Sequence, residues 1–154
     1  MLKNIDPILT ADLLYVLRAM GHGDELAIVD SNFPSTSVAS TTVTEVPIEL
    51  EGVDIPAAAN AILSVFPLDS FVKEPVLRME VVGAPDEIVE CHRDMQKAMD
   101  ASSDRTWKMG HIERHAFYER AANAFAIVTA VGERRPYGCF ILTKGVIGPD
   151  GKVV

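Results

Sequence analysis

Residues 10–30, TADLLYVLRAMGHGDELAIVD, hold a helix, its stop and a strand in direct succession. Leu9, Leu13, Val16, Leu17 and Met20 recur at the spacing of one buried helical face. Thr10 is suited to cap that helix, because its hydroxyl can accept from a free N–H of the first turn. Gly21 is the expected stop, a residue able to take positive φ just past the last turn. ELAIVD (25–30) then reads as a short apolar strand that ends on Asp30.

Outward from this unit the same alternation continues. SNFPSTSVAST (31–41) reads as a polar loop, and TVTEV (42–46) alternates like a strand. Asp54 and Pro56 open a helix that runs through AAANAILSVF and stops before Pro67. VLRMEVV (76–82) is strand-like. PDEIVECHRDMQKAMDA (85–101) carries a proline and two acids in its first turn, which suits a helix dipole, with Ile88, Cys91, Met95 and Met99 as the buried stripe. WKMGHIER (107–114) reads as a strand and AFYERAANA (116–124) as a short helix. FAIVTAVGE (125–133) and YGCFILTKGVI (137–147) are two strong closing strands. Strands and helices mixed throughout favour a layered α/β domain over an all-β sandwich, with residues 1–154 as one unit.

Bulk properties narrow the function. Lys and Arg number 14 against 22 Asp and Glu, a net charge of −8, and no basic stripe is present. A nucleic-acid surface needs clustered positive charge, so that class is excluded. The longest apolar stretch, AFAIVTAV (124–131), is far short of the roughly 20 residues that span a bilayer. The opening residues carry Asp6 and Pro7 and lack the apolar core of a secretory signal. Cys91 and Cys139 are far apart with no CxxC, which suggests neither zinc nor a disulfide framework. The expectation is a cytoplasmic protein without membrane contact.

Chemistry-bearing residues are few. His22 lies between two glycines that leave room for a ligand, at a helix end whose free carbonyls favour a cation, with Asp24 and Glu25 following. A histidine titrates near neutral pH and so gives or takes a proton readily. The plain alternative is a helix stop. His111, Glu113 and His115 would share one face of a strand and form a metal cluster, although a solvated face explains them better and the spacing is not HExxH. His92 reads as structural.

Asp30 ends a buried strand, where α/β folds place ligands, or else serves the turn DSNFP. Arg114 offers a fork of donors to hydroxyls, or an ion pair to Glu113 or Glu119. Tyr118 suits a core, a ligand stack or an interface. Tyr137 and Gly138 begin a strand where glycine permits close approach to the main chain. No glycine-rich phosphate loop and no GxSxG is present. Acid–base chemistry on a neutral polar ligand is the simplest enzymatic reading.

In order along the chain stand GHGDE, DSNFP, FPLDSF, RHAFYERAANAFAIV, GERRPYG and LTKGV. With these pieces the sequence resembles the family of L-fucose mutarotases and D-ribose pyranases over nearly its whole length, and is most similar to the fucose branch. The resemblance implies a three-layer α/β/α domain with a central mixed sheet, assembled as a homo-oligomer, commonly a decamer, that uses no metal or cofactor. It implies a monosaccharide substrate whose anomers are interconverted, with His22 as general acid. Sugar-binding positions fall on Asp30, Arg114, Tyr137, Gly138 and Cys139, with Tyr118 as a further contributor. Residue 139 is cysteine where the family often has asparagine, and His115 stands where the fucose branch often has phenylalanine. A thiol is weak both as donor and as acceptor, so the first departure bears on the choice of sugar. The rival reading is a non-catalytic sugar-binding or regulatory partner of a sugar transport system, in which His22 only hydrogen-bonds a ligand.

Overall fold

The structure, a computed structural model, describes residues 2–103 and 105–154. Among the described residues five helices and six strands follow in the order α1 (Ala11–Ala19), β1 (Glu25–Asp30), α2 (Ser35–Ala39), β2 (Ile48–Leu50), α3 (Ile55–Leu63), β3 (Val76–Met79), α4 (Glu90–Ala101), β4 (Met109–Ile112), α5 (Arg114–Ala122), β5 (Ala126–Ala130) and β6 (Phe140–Thr143). The strands form one sheet in the order β2-β5-β1-β6-β3-β4. β1 runs parallel to β5, β5 to β2, and β3 to β4, while β6 runs antiparallel between β1 and β3. The sheet is therefore mixed, as the resemblance implies.

Both faces of the sheet are covered, which is why its central strands read as continuous apolar runs. Leu26 and Ile28 of β1, Val128 of β5 and Phe140 and Leu142 of β6 face α1, α3 and α4. The alternate residues Ala27, Val29, Ile127 and Ile141 face α2 and α5, where Phe117 and Ala121 pack. These two cores make the three layers. The face anticipated for α1 is buried throughout, from Leu9 to Met20, and the Thr10 hydroxyl accepts from Leu13 N–H at 3.2 Å.

Several local expectations are corrected. Residues 42–46 form no strand; Glu45 has φ 60°, and the threonine hydroxyls bond to nearby carbonyls, Thr42 to Ala39 and Thr44 to Val46. Such local bonds compete with a sheet ladder, and pairing begins only at Ile48. The polar loop contains the short helix α2, entered through Pro34. α4 begins at Glu90 instead of Pro85, because Glu87 N–H closes a turn on the Ala84 carbonyl and the Pro85 carbonyl accepts from Arg78, so Ile88 is 43% exposed and outside the stripe. Gly21 lacks the positive φ expected of it; the left-handed residue is Gly23, at φ 83°.

Candidate active site

The carboxyl end of β1 holds an acid gripped from three sides. Asp30 is buried; one oxygen accepts from Asn32 N–H at 2.9 Å, the other from Gly138 N–H at 3.1 Å and the Cys139 thiol at 3.4 Å. Burial pushes the Asp30 carboxyl above its ordinary range despite these three donors. The Cys139 thiol is raised well above its own ordinary value by burial and by the Asp30 charge, so it stays a donor. Cys139 is 3% exposed, so its side chain bears on a ligand only through Asp30.

The loop before β6 is shaped by buried groups behind it. Tyr137 and Gly138 do not begin the strand, which starts at Phe140, and Tyr137 sits at φ 66°. Its carbonyl accepts from His92 Nε2 at 3.2 Å, while His92 Nδ1 accepts from Val89 N–H at 3.3 Å. With Nδ1 as acceptor, the ring is neutral and carries its proton on Nε2. Burial first, and then the Arg78 charge, push the His92 imidazole down to about 4. A Cβ on residue 138 would stand 3.2 Å from Glu133 Cγ and 3.3 Å from both Asp30 Cβ and Ile55 Cγ1, so only glycine lies there without displacement. Glu133 is itself buried; burial would raise its carboxyl, but bonds from Arg135 and the Ile55 N–H outweigh that and hold it below the usual range. Arg135 is tied in turn to Asp94 at 2.9 Å.

Tyr118 lies half-buried at this same end, its ring 5.3 Å from that of Phe33. Arg114 opens α5 directly after β4, whose Ile112 pairs with Met79; Met79 N–H in turn donates to the Cys139 carbonyl. Arg114 is exposed and, among the described residues, forms no salt bridge with Glu113 or Glu119. Glu113 instead caps α5 by accepting from His115 and Ala116 N–H. That cap ends the strand at Ile112, so His111, Glu113 and His115 share no strand face. Among the described residues no group of three metal-ligating side chains is assembled.

His22 stands elsewhere. It precedes the other end of β1, and the five steps from Glu25 to Asp30 alone span roughly 16 Å at about 3.3 Å per residue. Its side chain is 49% exposed, with Nε2 3.3 Å from Oδ1 of the buried Asp69 and its ring 5.5 Å from that of Phe71. The carboxylates expected beside it are taken: Asp24 accepts from Gly21 N–H, and Glu25 binds Arg120. The carbonyls at the end of α1 do not meet the imidazole either, because Lys144 Nζ donates to Leu17 and Met20. The main chain of Lys144 bonds Gly23 and Asp24, which sets the turn that presents His22. A groove of about 490 Å³ with mainly apolar walls, among them Leu14, Leu17, Val65, Pro67 and Ile147, runs beside it.

The fold thus brings Asp30, Tyr118, Tyr137, Gly138 and Cys139 to one end, with Arg114, and leaves His22 at the other. Asp69, Glu133 and Lys144 escape the sequence reading as supports, whereas His92, read as structural, is one. FPLDSF, GERRPYG and LTKGV hold the three, but only the fold joins each to its partner.

A model of the RbsD/FucU transport protein family matches residues 3–147. The chain belongs to the RbsD/FucU family. Fucose mutarotase of Danio rerio is 44% identical over 155 residues, covering 97% of this chain and 96% of that one. The crystal structure of protein Atu2016 superposes with a TM-score of 0.92 at 51% identity, over 96% of this chain and 97% of that one. Fucose mutarotase from Streptococcus pneumoniae, solved in complex with L-fucose, superposes with a TM-score of 0.83 at 36% identity, over 96% of this chain and the whole of that one. Both ends of the candidate site lie inside the matched length.

Proposed function

We propose that this protein is a monosaccharide mutarotase, an isomerase that interconverts the anomers of L-fucose or a related free sugar. Similarity to fucose mutarotases over nearly the full length of the chain carries this reading. In the reaction His22 delivers a proton to the ring oxygen O5 while water takes the one the anomeric hydroxyl releases, and the C1–O5 bond opens to the free aldehyde. The imidazole left neutral is then the base for reclosure on the other face of C1. A positioned acid–base group of this kind contributes about 10²–10⁴-fold. Asp30 accepts a sugar hydroxyl, Arg114 donates to others, the main chain at 137–139 approaches closely across Gly138, and Tyr118 walls the site.

One protomer cannot apply His22 and Asp30 to the same sugar, since they lie at opposite ends of β1. The reading therefore assigns each site to two copies, one presenting the Asp30 end and the other its His22. Apolar groups exposed outside the cores support such assembly: Tyr15 is 75% exposed, Val43 68% and Val46 63%. A closed ring buries such surface by repeating one contact, as in the decamer that the resemblance implies. No helix among the described residues is long and apolar enough to cross a membrane. Two buried free thiols suit the reducing cytoplasm, where we place the protein. Saturation-transfer NMR of anomer exchange, with and without protein, tests the function: exchange on L-fucose above the uncatalysed rate is expected. Sugar binding without accelerated exchange would leave only a binding protein.

A further inference from the structure

We infer that His115 is a specificity-determining residue of the sugar site, and that it fits the site to a hexopyranose carrying a free hydroxyl on C6. The inference rests on the mutarotase reading for its substrate, while the free imidazole stands on geometry. The chain has 4 histidines. His22 meets Asp69, His92 is held between Val89 and Tyr137, and His111 Nδ1 lies 2.6 Å from Glu80. His115 alone has no hydrogen-bond partner on its ring among the described residues. Its main-chain N–H donates to the Glu113 carboxylate at 2.7 Å, so the first turn of α5 fixes its backbone. The exposed side chain keeps one donor and one acceptor unused in the neutral ring.

The helix sets where that ring stands. Arg114 and His115 precede Tyr118 by four and three positions, so both flank it on one face of α5. The His115 ring lies edge-on to that of Tyr118, with centroids 6.5 Å apart and planes at 64°. Tyr118 in turn lies 5.3 Å from Phe33, whose N–H donates to the Asp30 carbonyl at 3.2 Å. This run of contacts ties His115 to the end of β1 that holds Asp30, at the rim of the wall that Tyr118 forms.

The chemistry of the sugar decides what the free imidazole meets. A 6-deoxyhexopyranose such as L-fucose has hydroxyls on C1 to C4, a ring oxygen and an apolar methyl group as C6. His22 serves the ring oxygen, while Asp30, Arg114 and the main chain at 137–139 serve the ring hydroxyls. The methyl group needs only the Tyr118 wall. L-Galactose has the same configuration at every ring carbon and differs by one hydroxyl, on C6. That hydroxyl brings a donor and an acceptor to satisfy, and the imidazole beside Tyr118 supplies a partner for it in either tautomer. Substrates thus extend to 6-hydroxylated hexoses without excluding L-fucose.

The test measures anomer exchange on L-fucose and on L-galactose over a range of sugar concentrations, with the assembled protein. The wild type is expected to exchange both. His115→Phe keeps an aromatic ring and loses both nitrogens. In it kcat/KM for L-galactose relative to L-fucose falls about three- to tenfold, mostly through KM, the worth of one hydrogen bond. His115→Gln, which keeps a donor and an acceptor, holds that ratio within about twofold of the wild type. In protein labelled with 15N-histidine, the His115 ring signals are assigned by their loss in His115→Phe. They are expected to move further with saturating L-galactose than with saturating L-fucose. A wild type that exchanges L-fucose but not L-galactose, or an unchanged ratio in His115→Phe, overturns the inference and leaves the mutarotase reading standing. Exchange on neither sugar, with the His115 signals still moving on L-galactose, sinks the mutarotase reading and leaves the contact. Exchange on neither sugar with unmoved signals sinks both.

Discussion

Replacing His92 with glutamine tests whether the loop that carries Tyr137–Cys139 rests on a buried neutral base. Glutamine retains an N–H that can reach the Tyr137 carbonyl, but it offers no acceptor at the Nδ1 position for Val89 N–H. That orphaned donor costs about 1–3 kcal/mol at pH 8. The pH dependence is the sharper signature. The imidazole stands at about 4 in the folded chain against 6.5 unfolded, so between these values the unfolded chain binds more protons and stability falls as pH drops. At pH 5 the wild type loses at most about 2 kcal/mol from this group, a ceiling because solvent and side chains relax around a buried charge. The variant has nothing there to titrate. Its deficit is therefore expected to shrink by up to about 2 kcal/mol between pH 8 and pH 5. Glu133 and Asp94, both held below the usual carboxylate range, lose their contributions only below about pH 4.5, outside this window. Urea unfolding followed through Trp107, at fixed protomer concentration so that the proposed assembly contributes equally throughout, reads the difference. Parallel stability curves from pH 8 to pH 5 would show that His92 is not the buried neutral base described.

Gly138→Ala places a methyl group 3.2–3.3 Å from three buried carbons, and a loss of about 1–3 kcal/mol with a raised KM for the sugar is expected in unfolding and exchange assays. An unchanged KM would mean the main chain at 138 is remote from the ligand. Cys139→Asn replaces the thiol donor to Asp30 with an amide, and rates across a panel of L-fucose, D-ribose and related sugars should redistribute while His22-dependent exchange persists. Identical relative rates would remove the Cys139–Asp30 bond from specificity. Lys144→Met leaves the Leu17 and Met20 carbonyls without their cation, and thermal unfolding should report a loss of about 1–3 kcal/mol, with faster amide exchange at 21–24.

The sequence made the layered α/β class legible because helix and strand periodicities differ, and both are explicit in residues 10–30. Leu13, Val16 and Leu17 all lie where the 3.6-residue repeat puts them, and Leu26 to Val29 face alternate cores. Failures cluster where side chains bond to nearby backbone. The threonines of 42–46 satisfy local carbonyls instead of a ladder, and the turn at 84–87 replaces a helical start that Pro85 and two acids advertise. Residue type and local context mark out His22, Asp30, Arg114, Tyr118, Tyr137 and Gly138, while their roles, and Cys139 as a sugar-binding position, come only from the family resemblance. Their division between two ends was not legible, because GHGDE and DSNFP are neighbours in sequence and the intervening strand sets them apart. Asp69 was equally hidden: it lies 47 positions from His22, and only its N–H bond to the Thr143 carbonyl and the Gly145 N–H bond to Pro67 carry its loop to the histidine.

Mixing two inactive variants tests the shared site most directly. His22→Gln and Arg114→Ala each disable a different end, so either homo-oligomer is expected to lose most anomer exchange. Unfolded together in equal amounts and reassembled, they form sites in which about a quarter combine an intact His22 from one copy with an intact Arg114 end from another, as a repeated ring contact requires. Recovery of about a quarter of the wild-type exchange rate on L-fucose is expected by saturation-transfer NMR. Activity no greater than that of the separate variants, in mixed oligomers verified by mass, would contradict a site built from two protomers.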